Sequence, residues 1–165
     1  MKPSNLLAHW TYSTKEWNNY VAIEKKNKKE DNFYFGCGIV ILCTIGLMAF
    51  RNTTFLIGLA FAFPFAILLP WLRMKFSYPY LKKNVSNPKV KIFDKFLKIN
   101  NHTIEFKNDQ RRLKNIQLIE APNEAKLLEF DVQWLTRKGP TNDEFRVLIP
   151  KNKLDEAQTI INTLG

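Results

Sequence analysis

The sequence predicts an α+β protein, in which a two-helix transmembrane hairpin is followed by an antiparallel β domain that a C-terminal α-helix caps. Three observations lead to this fold class. Residues 33–50 and 55–72 are two stretches of 18 residues without a charged side chain. After residue 88, apolar and polar residues alternate, as they do in strands that bury one face. Residues 154–164 instead carry apolar side chains at helical spacing, which is typical of an amphipathic helix.

The two uncharged stretches are long enough to cross a membrane. An 18-residue helix that rises about 1.5 Å per residue covers roughly 27 Å, close to the ~30 Å hydrocarbon core of a bilayer. Only residues 51–54 separate the stretches, so the two helices must form an antiparallel hairpin. Neither stretch contains Asp, Glu, Lys, Arg or His, which argues against a pore or a carrier.

Basic residues lie on one side of the predicted hairpin. Four precede it and four follow it, and the connecting turn has only Arg51. The eight are Lys25, Lys26, Lys28, Lys29, Arg73, Lys75, Lys82 and Lys83. Because short cytoplasmic flanks are enriched in Lys and Arg, this asymmetry predicts that both termini lie in the cytoplasm.

The chain is predicted to have four segments. Residues 1–32 form a cytoplasmic N-terminal arm with a short amphipathic helix, and residues 33–72 form the hairpin. Residues 73–88 form a basic juxtamembrane linker, and residues 89–165 form the cytoplasmic β domain.

In the arm, Ser13 and Glu16 have the spacing of a capping box, which predicts a helix from about Thr14 to Lys29. Residues 9–12 alternate like an extended strand. Two placements stay open for the arm, one on the membrane surface and one against the β domain. The strand-like lead-in favours the β domain, because an extended segment can add to a sheet.

Five or six short strands are expected in the β domain. Residues 90–107 suggest strands that turn at Asn100 and Asn101, and further strands are expected near 116–119, 127–136 and 145–149. Glu129 and Asp131 lie on the opposite strand face from the apolar residues. This pattern is more typical of a solvated strand face than of a catalytic acid/base pair.

Residues 147–150 read Val-Leu-Ile-Pro and precede the predicted helix of residues 154–164. The order of short antiparallel strands and one C-terminal helix resembles a pleckstrin-homology-like (PH-like) domain, a curved antiparallel sheet closed by a helix. The whole chain resembles the YcxB-like group of small bacterial membrane proteins, which have a short arm, a two-helix hairpin and a PH-like domain. The resemblance implies a location in the bacterial cytoplasmic (inner) membrane as a multi-pass protein. It also implies a seven-stranded sheet, so a further strand comes either from the arm or from a segment without a clear pattern.

The sequence contains no motif for catalysis, a metal or a cofactor. His9 and His102 lie in separate segments without neighbours at metal-binding spacing. The protein is therefore predicted not to be an enzyme. A nucleic-acid partner is not expected either, because the excess of basic residues is concentrated beside the hairpin, where they set topology and contact anionic lipid.

The leading hypothesis is a non-catalytic inner-membrane protein that presents its PH-like domain as a protein-interaction or assembly module. The lipid bilayer and an unidentified membrane or cytoplasmic protein would be its partners, and self-association stays open. One alternative is a regulatory subunit of a membrane transporter or enzyme complex. Another is a module that binds anionic lipid, through six candidate residues: Arg73, Lys75, Lys82, Lys83, Arg111 and Arg112. For a looser basic group of Lys91, Lys95 and Lys98, an ordinary basic surface is favoured over specific recognition.

Overall fold

The computed structural model describes residues 4–121, 124–137 and 139–165. Three helices and seven strands occur in these ranges, which confirms the predicted α+β class. In chain order they are β1 (Leu6–Thr11), α1 (Thr14–Arg51), α2 (Phe55–Ser77), β2 (Lys89–Phe93), β3 (Phe96–Ile99), β4 (His102–Glu105), β5 (Arg111–Glu120), β6 (Lys126–Thr136), β7 (Gly139–Leu148) and α3 (Leu154–Leu164).

The chain divides into two compact units by contacts between residues. One unit combines the N-terminal segment up to Val21 with Lys82–Gly165, and we call it the β unit. The other, Ala22–Leu81, is called the hairpin unit. The division falls inside α1, because the residues that precede the hairpin pack with the domain that follows it.

The β unit contains two antiparallel sheets. Their strand orders are β1-β2-β3-β4 and β5-β6-β7. β1 pairs with β2, and Ala8, His9 and Trp10 face Ile92, Lys91 and Val90. The N-terminal arm therefore supplies an edge strand of the first sheet, which decides between the two placements left open above. A strand before the hairpin is thus hydrogen-bonded to a strand after it.

The core of the β unit lies between its two sheets and below α3. Every second residue of β2 and β3 is buried, as expected for sheets with one apolar face. The rings of Phe106 and Phe130 stack at 5.5 Å between centroids. α3 contacts β1 and β5, and it buries Ala157 and Ile160 from its predicted apolar face.

The capping box at the start of α1 is confirmed. The Ser13 amide donates to Glu16 Oε2 at 3.0 Å, and the Glu16 amide donates to Ser13 Oγ at 3.2 Å. The Ser13 hydroxyl also donates to Glu16 Oε2 at 2.7 Å. These hydrogen bonds favour the charged carboxylate and lower the pKa of Glu16.

The predicted end of the first helix at Lys29 is wrong, because α1 continues for 38 residues to Arg51. Residues 14–35 contain neither glycine nor proline, so nothing in the backbone stops the helix where the polar arm meets the apolar stretch. α2 likewise extends beyond the predicted residue 72 to Ser77, and it continues through Pro64 and Pro70. Part of the predicted linker is therefore helical.

Both helices of the hairpin unit are long and apolar enough to cross a membrane. Only 11% of the most apolar 18-residue segment of each helix is buried within the chain, whereas the core helix of a soluble domain is mostly buried. The buried residues at the seam between the helices are small or polar. They include Gly36 and Thr44 on α1, and Gly58 and Ala62 on α2.

Candidate anion-binding surface

Two of the six predicted lipid contacts lie on the last turns of α2. The Arg73 guanidinium lies 5.5 Å from the ring centroid of Phe35, and Lys75 Nζ lies 5.0 Å from the ring of Trp71. Cation–π contacts of this kind support a charged side chain along an apolar surface while its charge stays accessible. Both residues are exposed in the hairpin unit.

Lys82 and Lys83 belong to the β unit and precede β2. Their side chains are exposed, and within the described ranges neither forms an ion pair. The backbone of Lys82 has a structural role, because its carbonyl oxygen accepts a hydrogen bond from Trp17 Nε1 at 2.8 Å. The charges of these two lysines are therefore available at the protein surface.

Arg111 and Arg112 are consecutive in β5 and so project from opposite faces of its sheet. The Arg111 guanidinium lies 3.5 Å from the ring centroid of Trp134 and donates to the Glu105 carbonyl at 3.2 Å. Arg112 Nε donates to Gln133 Oε1 at 2.7 Å, and its Nη2 donates to the same oxygen. Each arginine is thus held by neighbours in the β unit, and the two do not act together on one ligand.

On the polar face of the three-stranded sheet, basic side chains form ion pairs with carboxylates. Lys114 Nζ lies 3.2 Å from Asp131 Oδ2, and Arg146 Nε donates to Glu129 Oε2 at 2.7 Å. Glu129 and Gln133 are buried, so the expectation of a solvated face is wrong for this part of β6. The long side chains of β5 and β7 lie beside the central strand and cover its shorter ones.

The outer face of the four-stranded sheet has the opposite character. A depression of about 90 Å³ is lined by Lys89, Lys91, Lys98, Asn100 and Asn101. Lys91 and Lys98 are direct cross-strand partners. Among the residues that the structure describes, none of the three lysines forms an ion pair.

The turn at the far side of this depression is rigidly tied to β2. Asn100 has a positive φ of 53°, which asparagine tolerates better than most residues. Its side-chain Oδ1 accepts from the Lys89 amide at 2.9 Å, and its own amide donates to the Lys89 carbonyl at 2.8 Å. The remaining NH₂ group of Asn100 is a donor, so the depression presents ammonium and amide groups.

The sequence predicts Lys91 and Lys98 as members of a loose basic group, but it does not predict that they converge. A tight turn at Asp94 and Lys95 connects β2 to β3. This turn brings Ile92 opposite Leu97 and therefore Lys91 opposite Lys98. The alternation of lysine with buried residues on both sides of Asp94 was the signal that could have identified this hairpin.

Comparison of the chain with protein-family models, with curated proteins and with solved structures finds no match. Within the described ranges, no group of three or more His, Cys, Asp or Glu side chains is placed to hold a metal ion.

Proposed function

We propose that this chain is a non-catalytic protein of the bacterial inner membrane, and that its hairpin holds a PH-like domain at the cytoplasmic face. The domain serves there as a protein-interaction or assembly module. The bilayer and a membrane or cytoplasmic protein are its partners.

The pairing of β1 with β2 carries this proposal. β1 precedes the hairpin and β2 follows it, yet both belong to one sheet. If the hairpin crosses the membrane, its two ends must therefore emerge on the side where the β unit folds. The basic flanks favour the cytoplasm as that side.

The strand arrangement supports the PH-like assignment. A sheet of four strands and a sheet of three strands are followed by a C-terminal helix, in the order that the resemblance to the YcxB-like group implies. The hairpin then occupies the connection between the first two strands of the domain. Such an insertion is compatible with the fold because a connection between strands tolerates added residues at the surface.

The free edge of β5, beside α3, is the surface proposed for the protein partner. In the described part of the chain, β5 pairs with β6, and its other edge is bridged only at Arg111, to Asn108. The rest of that edge offers backbone donors and acceptors from Arg112 to Glu120. Leu118 is 36% exposed on this strand. Extended segments bind such edges by strand addition.

Anionic lipid is a second candidate partner, because the charges of Arg73, Lys75, Lys82 and Lys83 are exposed within residues 73–88. These residues would strengthen attachment without a specific pocket, at about 1 kcal/mol for each basic residue near the surface. Arg111 and Arg112 would contribute less to the binding of anionic lipid, since both contact other side chains of the β unit.

A photo-reactive amino acid at Leu118 of the full chain tests the interaction module in native membranes. We expect irradiation to yield a protein adduct of discrete mass, because the β5 edge is accessible. The same probe at Leu56, 73% exposed on the apolar surface of α2, is the control and should react with lipid only. Lipid adducts alone at both positions would contradict the proposed interaction surface.

A further inference from the structure

We propose that the depression on the outer face of the four-stranded sheet binds a phosphate group through Lys89, Lys91 and Lys98. The site lies on a different surface from the β5 edge, and it stands independently of the proposed function. Its support comes from electrostatics, from the contrast with the other sheet and from the donors that line it.

Electrostatics make this cluster unfavourable in the empty protein. Lys91 and Lys98 are directly opposite on neighbouring strands, where like charges are destabilising. His9 and Thr103 extend the same cross-strand row, so the row contains no carboxylate. Lys89 adds a third ammonium group to the depression. A bound anion would remove the repulsion that this arrangement creates.

The three-stranded sheet shows that the chain compensates its charges elsewhere. There Lys114 faces Asp131, and Arg146 contacts both Glu129 and Glu144. The β unit is not short of carboxylates either, because residues 89–165 contain 11 Asp and Glu. The absence of an acid from the lysine row is therefore a local property of this face, and general basicity does not account for it.

The size and the donors of the depression indicate the class of ligand. A volume of about 90 Å³ is well below the ~300–1,000 Å³ of pockets that enclose whole small molecules. Three ammonium groups and the amides of Asn100 and Asn101 all donate, which suits an acceptor-only anion. A phosphoryl group presents three strong acceptor oxygens and up to two negative charges. Such a group could belong to a lipid headgroup or to a soluble phosphate compound.

Lysine acetylation of the full chain tests the site, in nanodiscs of neutral phosphatidylcholine. Inorganic phosphate is added at constant ionic strength, and the rate of acetylation of each lysine is measured by mass spectrometry. We expect phosphate to slow acetylation of Lys89, Lys91 and Lys98 but not of Lys107. A second experiment replaces free phosphate by phosphatidic acid in the nanodisc. Protection of the three lysines by phosphatidic acid identifies a lipid headgroup as a source of the phosphate group, and protection by free phosphate alone identifies a soluble source.

A matched pair of double variants makes the test specific. Lys91→Gln with Lys98→Gln should weaken phosphate binding about tenfold or more, because charge-assisted hydrogen bonds are lost. Lys107→Gln with Lys126→Gln removes the same charge elsewhere on the β unit and should leave the affinity within about twofold. Equal weakening of phosphate binding in both variants would attribute the effect to net charge and overturn the proposal. A lack of protection of the three lysines by both free phosphate and phosphatidic acid would also overturn it.

The stability of the unliganded protein gives an independent readout. Removal of the repulsion in Lys91→Gln with Lys98→Gln should leave the melting temperature unchanged or raise it at low salt, while binding is lost. If the double variant loses its fold as well as phosphate binding, Lys98→Gln alone takes its place, because Lys98 is exposed. Retention of full phosphate affinity by a folded Lys98→Gln would also overturn the proposal.

Discussion

Replacement of Trp17 by alanine is expected to lower the free energy of unfolding of the β unit by about 3–5 kcal/mol. Trp17 is fully buried, and its ring centroid lies 5.7 Å from that of Tyr12 and 5.2 Å from that of Tyr20. Its Nε1 donates to the Lys82 carbonyl, so it joins the start of α1 to the segment that follows the hairpin. Near-UV circular dichroism during chemical denaturation of the full chain measures this loss.

The tyrosines beside Trp17 strengthen the same attachment. The Tyr12 hydroxyl donates to the Leu148 carbonyl at 2.6 Å, and the Tyr20 hydroxyl donates to the Arg146 carbonyl at 2.5 Å. Burial, together with the nearby charge of Glu16, raises the pKa of Tyr12 well above its ordinary value. Its phenol therefore stays protonated and keeps its donor to β7.

Two control variants separate the roles of Trp17. Trp17→Phe keeps an aromatic ring but loses the donor, so a smaller loss of about 1–3 kcal/mol is expected. Trp71→Ala removes an indole that is 55% exposed on α2, and it should change the stability of the β unit by less than about 0.5 kcal/mol. An unchanged β unit in Trp17→Ala would show that the arm is not part of it.

Replacement of Gly36 by alanine is expected to destabilise the packing of the hairpin by about 1–3 kcal/mol. A Cβ atom at this position would lie 2.9 Å from the backbone oxygen of Ala66. Because that oxygen belongs to α2 and cannot rotate away, the two helices must separate. The thermal stability of the full chain in a mild detergent measures the effect. Gly58→Ala tests the other end of the seam, since its Cβ would lie 3.2 Å from Thr44 Cγ2.

The hairpin provides its own controls for this substitution. Beyond its own turns of helix, a Cβ atom at Gly38 or Gly46 would have no heavy atom within 4 Å among those that the structure describes. Gly38→Ala and Gly46→Ala should therefore leave the hairpin as stable as before, or more stable because alanine favours the helix. Equal losses at Gly36 and Gly38 would mean that the seam does not run along the Gly36 face.

Local patterns were sufficient to predict much of this fold. The two uncharged stretches predicted the apolar helices, and Ser13 with Glu16 predicted where α1 begins, because a cap is a local interaction. The apolar spacing of residues 154–164 likewise predicted α3. Where α1 ends was harder, because a change from polar to apolar residues alters the surroundings of a helix without stopping its backbone.

Features that depend on distant pairing could not be predicted in the same way. Residues 9–12 looked like a strand, but the partner strand lies beyond the whole hairpin in the chain. The burial of Glu129 and Gln133 depends on which side chains of β5 and β7 lie beside them. The lysine depression required the register of β2 with β3, and hence the turn at Asp94, to be known.

β1 and β2 belong to one sheet although the hairpin separates them in the chain, and a cross-strand disulfide tests this pairing most directly. In full chains with Cys37 and Cys43 replaced by serine, His9→Cys is combined with Lys91→Cys, its direct partner. Direct partners have Cα atoms about 4.5–5.5 Å apart, within the range that a disulfide spans. His9→Cys with Lys89→Cys is the control, because these positions are two residues out of register. Oxidation in native membranes should form an intramolecular disulfide in the first variant and little in the second. A first variant that stays reduced, or a control that is oxidised equally fast, would contradict the pairing and the same-side anchoring that follows from it.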